Sequence, residues 1–150
     1  MDEHILKRHN KTLLLYHLVF PVKYRREAID DSIGTTLKKI CLDLSERYEV
    51  QFVEIGFESN HVHFLVQGVP MMSVSKLVTL IKSITARELF KSYPEIKRLL
   101  WGGSFWTSGY YANTVGQYGN KDVIMKYIAN QGKSTDYKII HSEQLNLFDI

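Results

Sequence analysis

Two runs rich in Val, Ile and Phe, residues 51–57 and 61–66, stand either side of the short polar segment Glu58-Ser59-Asn60. β-Branched and aromatic residues bounded in this way predict two strands joined as a hairpin, which commits the chain to folds that contain an antiparallel sheet. Successive side chains of a strand point to opposite faces, so His61 and His63 share one face while Val62 and Phe64 occupy the other. Each neutral imidazole offers one nitrogen lone pair, and two of them on rigid backbone form the smallest useful grip on a divalent metal. Two solvated histidines on an open sheet face would give the same spacing, so the pair takes its meaning from its surroundings.

Upstream, residues 11–22 place Leu13, Leu15, His17 and Val19 on one face and Leu14, Tyr16, Leu18 and Phe20 on the other. With both faces largely apolar, this predicts a central strand ending at Pro21. His17, among apolar neighbours, reads as structural rather than as a ligand, and the polar residues 1–10 read as frayed. Lys23-Tyr24-Arg25-Arg26 then gathers three cations at the strand exit, either a solvated loop or side chains reaching past the sheet rim toward a phosphate backbone. Over residues 27–49, Ile29, Ile33, Leu37, Ile40, Cys41, Leu44 and Tyr48 recur at helical spacing, with Gly34 a local weakness.

Ser73 caps a second helix carrying Val74, Leu77, Ile81 and Ile84 on its core face, with Pro94 just beyond its end. Of its cations Lys76, Lys82, Arg87 and Lys91, only Arg87 reads as a DNA contact. Gly102-Gly103 introduces a strand at 104–112 dense in aromatics, among them Phe105 and Trp106, with Gly109 marking a bulge or a close backbone approach. A last helix starts at Asn120 and runs to Gln131 before Gly132, so Tyr127 and Gln131 lie one turn apart on the same face. The order strand, helix, strand, strand, helix, strand predicts an α+β fold. Its form is a ferredoxin-like (RRM-like) antiparallel sheet with helices on one face, plus a C-terminal helix carrying the tyrosine. The open face of such a sheet can carry nucleic acid.

With 45% hydrophobic residues, 150 residues suffice for one domain without disulfides, and the single Cys41 can form no internal one. The first residues show no charged segment followed by an apolar one, and the longest apolar run, residues 13–22, is far short of the ~20 residues needed to cross a bilayer. A cytoplasmic protein without a membrane partner is expected. A net charge of +3 permits nucleic acid without arguing for it.

Taken together, Tyr16-His17-Leu18-Val19-Phe20 with Lys23-Tyr24-Arg25-Arg26, His61-Val62-His63-Phe64-Leu65-Val66 and residues 83–90, 105–116 and 123–132 resemble the single-tyrosine HUH transposases. These form the TnpA group of IS200-like insertion sequences that move as single-stranded DNA, and the matching segments span nearly the whole chain in the family's order. The resemblance implies that His61 and His63 bind Mg²⁺ or Mn²⁺ with Gln131, and that Tyr127 attacks the scissile phosphate to form a 5′-phosphotyrosine. It further implies a homodimer that recognises subterminal DNA hairpins, with Lys23, Arg25, Arg26, Arg87 and Trp106 as DNA-binding residues. Where the family often has Pro-Asp before the histidines this chain has Ser59-Asn60, which still suits a turn.

Residues 1–132 are thereby expected as the catalytic domain and 133–150 as a tail. Within the tail, Gln144, Leu145, Leu147 and Phe148 resemble a sliding-clamp docking peptide, or pack on the protein or its dimer mate. Two other readings remain open. One is a host-adapted HUH endonuclease or replication initiator acting on repeated palindromes. The other is a binding module that stacks bases on exposed aromatics such as Trp106 without cutting. A His-x-His nucleotide hydrolase is disfavoured, because Leu65 fills the next alternate position.

Overall fold

A computed structural model of the chain describes residues 4–116. The hairpin at its centre pairs β4 (Gln51–Glu58) with β5 (His61–Gly68) through a two-residue turn, Ser59-Asn60. Its register sets Glu58 opposite His61 and Gly56 opposite His63, with an irregularity between Phe52 and Glu54. β5 also pairs along its whole length with β3 (Leu14–Pro21), which in turn pairs with β6 (Tyr111–Val115). The resulting order β4-β5-β3-β6, antiparallel throughout, is the split βαβ arrangement expected of a ferredoxin-like sheet. Both central strands are buried on both faces, in keeping with the doubly apolar pattern of β3.

One face packs under two helices, α1 (Asp31–Arg47) and α2 (Val74–Ser92). Leu18, Phe20, Val62, Phe64 and Val66 from the sheet join Leu37, Leu44, Leu77 and Ile81 from the helices in a single core. Each helix begins where a side chain satisfies a backbone N–H that has no partner within the first turn. Asp30 accepts from the Ile33 amide at 2.8 Å, and Ser73 from the Lys76 amide at 3.1 Å. The start of α1 therefore lies later than residue 27. Ala28 and Ile29 keep their apolar positions but are non-helical, with the Ile29 amide donating to the Ser59 carbonyl. At the far end, the Tyr93 hydroxyl ties α2 to Ser32 and Thr36 of α1, at 3.0 and 2.7 Å.

Three segments depart from expectation. The N-terminal residues form a small hairpin, β1 (Ile5–Leu6) with β2 (Lys11–Thr12), so the strand expected at 11–22 is divided in two. A short helix, α3 (Glu95–Leu99), follows Pro94 and buries Ile96. The strand expected at 104–112 is interrupted: Trp106 makes an antiparallel bridge to Val22, with the Thr107 amide donating to the Pro21 carbonyl at 3.0 Å, and regular pairing resumes only at Tyr111–Val115. The Lys82 ammonium donates to the carbonyls of Thr107, Ser108 and Gly109, at 2.8, 3.2 and 3.0 Å. Three acceptors a sheet ladder could use are thus taken by one side chain, and burial lowers the Lys82 pKa. Among the described residues, no helix is long and apolar enough to cross a membrane.

Candidate functional site

His61 and His63 stand side by side on β5 as their alternation requires, with ring centroids 5.0 Å apart at 72°. They are not solvated: their relative exposures are 1% and 0%, and Leu15, His17, Val19 and Leu65 on the same sheet face are buried too. The open face expected of this sheet is therefore closed at its central strands. A buried imidazole needs partners for its nitrogens, and each ring has one at Nδ1. Asn60 Oδ1 lies 2.7 Å from His61 Nδ1, so the ring donates there. His17 Nε2 lies 3.0 Å from His63 Nδ1, and those two rings stack at 5.3 Å and 14°.

The structural role expected of His17 thus has a definite content, reached diagonally across the β3–β5 ladder, where His17 is paired with Leu65. Tyr111 on β6 packs edge-on against it at 5.8 Å. Burial lowers the His17 pKa to about 4, so it is neutral near pH 7 and one of its two nitrogens can accept. If His63 donates from Nδ1, Nε2 is its lone-pair nitrogen, as it already is for His61. Two imidazoles whose Nδ1 atoms are held by outer partners are the arrangement by which proteins aim Nε2 at a metal. The residues present therefore fit a divalent metal as two of its ligands, with Asn60 and His17 as the orienting groups. Among the described residues, no group of three or more His, Cys, Asp or Glu side chains could hold a metal. Tyr127 and Gln131, like the tail positions Gln144, Leu145, Leu147 and Phe148, lie outside the described residues.

The cationic segment adjoins this pair. Pro21 is paired with His61, the Val22 amide donates to Asn60 O at 2.8 Å, and the Lys23 amide donates to Phe105 O at 2.9 Å. Lys23–Arg25 then forms a 3₁₀ turn with Tyr24 at φ 58° and Arg25 at φ 52°, before Arg26 returns to extended backbone. Lys23, Arg25 and Arg26 are thereby held at the His61 end of the sheet. Arg87 sits apart on α2, 3.8 Å from Glu88, where it lines a shallow depression with Lys91, Lys97 and Gly103.

Trp106 does not fit the role expected of it. It is 5% exposed, donates its indole N–H to Thr85 Oγ1 at 2.9 Å, and packs edge-on against Phe20 and Phe105. A base-stacking ring must show a face to solvent, and this one is core. The exposed tryptophan is Trp101, two residues beyond the end of α3, a position that the sequence analysis does not single out. Its Gly-Gly flank was the available signal, since paired glycines mark a loop where an aromatic side chain can stand out.

The family described as transposase IS200 like matches residues 10–131. The ISDra2 transposase TnpA of Deinococcus radiodurans is 32% identical over 118 residues, which cover 79% of this chain and 84% of that protein. A candidate transposase from Deinococcus radiodurans of known structure superposes with a TM-score of 0.69 at 28% identity, over 84% of this chain and 96% of the other. A REP-associated tyrosine transposase solved with a REP hairpin superposes with a TM-score of 0.57 over 83% and 72% of the two chains. At 8% identity that last likeness is one of fold alone.

Proposed function

Since this chain belongs to the IS200-like transposases, we propose that it cuts and rejoins single-stranded DNA at insertion-sequence ends through a covalent tyrosine intermediate. The observation that carries this reading is the buried His61–His63 pair with each Nδ1 engaged by Asn60 or His17. His61 and His63, with Gln131, would hold Mg²⁺ or Mn²⁺, which when bound supplies Lewis-acid stabilisation of charge on the non-bridging phosphate oxygens. Asn60 and His17 keep the two rings in register and in one tautomer. The apolar neighbours Val19 and Leu65 exclude water around them, which strengthens every polar contact made there.

Tyr127 is the nucleophile of this reading. Its phenolic oxygen gives up its proton and forms a bond to the scissile phosphorus while the bond to the 3′ oxygen breaks, and the departing 3′ oxygen takes up a proton, leaving a 5′-phosphotyrosine and a free 3′-OH. The reverse attack by a 3′-OH rejoins the strand, and no nucleotide cofactor is consumed because the phosphotyrosine keeps the phosphodiester's energy. Lys23, Arg25 and Arg26 bind the DNA backbone beside the histidines, and Arg87 extends the contact over the helical layer. Recognition of subterminal hairpins and action as a homodimer belong to the same reading. The REP-hairpin complex of the fold neighbour supports the first only in that this fold has room for such a ligand.

The test is incubation with labelled single-stranded DNA from the element's ends, with and without Mg²⁺ or Mn²⁺, followed by denaturing electrophoresis. A covalent adduct is expected with metal, and its disappearance in Tyr127→Phe assigns the nucleophile. DNA bound without an adduct under either metal would instead favour the non-catalytic binder.

A further inference from the structure

Trp101 occupies an expensive position for its residue type. Its φ is +55°, in the left-handed region that a side-chain-bearing residue enters at a cost, and the residue is 76% exposed, so burial returns little to offset that cost. Among the described residues the other non-glycine positions with positive φ are Tyr24 and Arg25, so all three fall in two short segments. These segments meet in space: the Arg26 guanidinium stands 5.7 Å from the centre of the Trp101 ring. Tyr24, 63% exposed, carries the Lys23 ammonium 5.1 Å from its own ring centre. Strain gathered at one surface, around groups that do not pack, is the pattern of a binding site rather than of a scaffold.

We infer that Trp101 and Tyr24 form a base-stacking subsite for single-stranded DNA, with Arg26 and Lys23 taking the phosphates of the stacked nucleotides. The inference rests on the single-strand reading proposed above and names where on the protein the unpaired bases sit. Aromatic rings alternating with cations are what an unpaired strand offers to satisfy, since it presents π-faces and phosphates in turn, whereas a duplex hides its base faces. Arg26 covers one side of the Trp101 ring and its exposure leaves the other for a base. The placement suits the chemistry too, because Lys23 follows two residues after Pro21, which pairs with His61. From Gly103 the cations continue along the depression of Lys97, Lys91 and Arg87, so a strand leaving the rings meets further positive charge.

Intrinsic fluorescence tests this directly, because the chain has two tryptophans and Trp106 is buried. Single-stranded oligothymidylate and a random-sequence oligonucleotide, each about 15 nucleotides long, are titrated into the full chain without divalent metal, so that cleavage does not intervene. Quenching of the Trp101 component is expected, with Kd raised roughly 5- to 100-fold in Trp101→Ala and largely restored in Trp101→Phe. Emission from Trp106 reports whether each variant is folded. Wild-type affinity in Trp101→Ala, with no quenching in the parent, would overturn the subsite while leaving single-strand binding intact. A wild-type protein that binds neither oligonucleotide would overturn the subsite together with the reading on which it rests.

Discussion

His17 shows how one residue couples the stability of this fold to its candidate chemistry. Its folded pKa, about 4, lies below the ordinary 6.5 because burial disfavours the charged ring. The unfolded chain therefore binds a proton first as pH falls, and stability is fully present above pH 6.5 and is lost as pH drops toward 4. The shift corresponds to a contribution of at most about 3 kcal/mol. Urea midpoints measured at pH 7 and pH 4.5 are expected to fall steeply for the parent and less for His17→Gln; equal losses in both would show that His17 is not the group responsible. The histidine pair itself was legible in the sequence from two-residue alternation, but the face it shares with His17 was not, since that depends on the register between β3 and β5. The bonds from Asn60 to His61 and from His17 to His63 were not, because they depend on ring orientation and on a diagonal across two strands. The buried Trp106 and the exposed Trp101 lie in one aromatic-rich stretch, where the adjoining Gly102-Gly103 is the local mark that sets Trp101 apart.

At the level of elements, the hairpin and both long helices were readable because each sustains one period over many residues; the cap at Ser73 is local chemistry, whereas apolar Ala28 and Ile29 extend the period past the true cap at Asp30. The five-residue α3 is too short to show a period. Between the Trp106 bridge and β6 the backbone gives three carbonyls to Lys82, 25 to 27 residues away, which no local pattern can report. Gly34 in α1, which the sequence marks only as a weak helix former, proves to be a packing residue. A Cβ built there would meet the Phe57 ring of β4 at 2.2 Å, so the absent side chain lets helix and sheet approach. Alanine gains roughly 1 kcal/mol of helix propensity, but overpacking costs about 1–3 kcal/mol. Gly34→Ala is therefore expected to lower stability by up to about 2 kcal/mol, read as a reduced urea midpoint at unchanged m-value. A stabilised variant would mean that the Phe57 ring swings aside freely.

For the whole molecule, a formal charge of +3 is too small to draw DNA by itself, so any binding must come from where the cations sit. Lys23, Arg25 and Arg26 lie at the His61 end of the sheet and Arg87 on the helical layer, and whether one strand touches both is a question of counterion release. Four phosphate contacts on single-stranded DNA predict that log K falls against log salt with a slope of about −3. Replacing Arg25 and Arg26 together by glutamine should make the slope shallower by about 1.4, and Arg87→Gln by about 0.7. Trp101→Ala should weaken binding and leave the slope unchanged, because stacking releases no counterions. An Arg87→Gln slope equal to that of the parent would confine the strand to the sheet end. Equal slopes for the Arg25/Arg26 variant would instead move the strand off the histidine edge altogether, and with it the geometry that links DNA binding to cleavage.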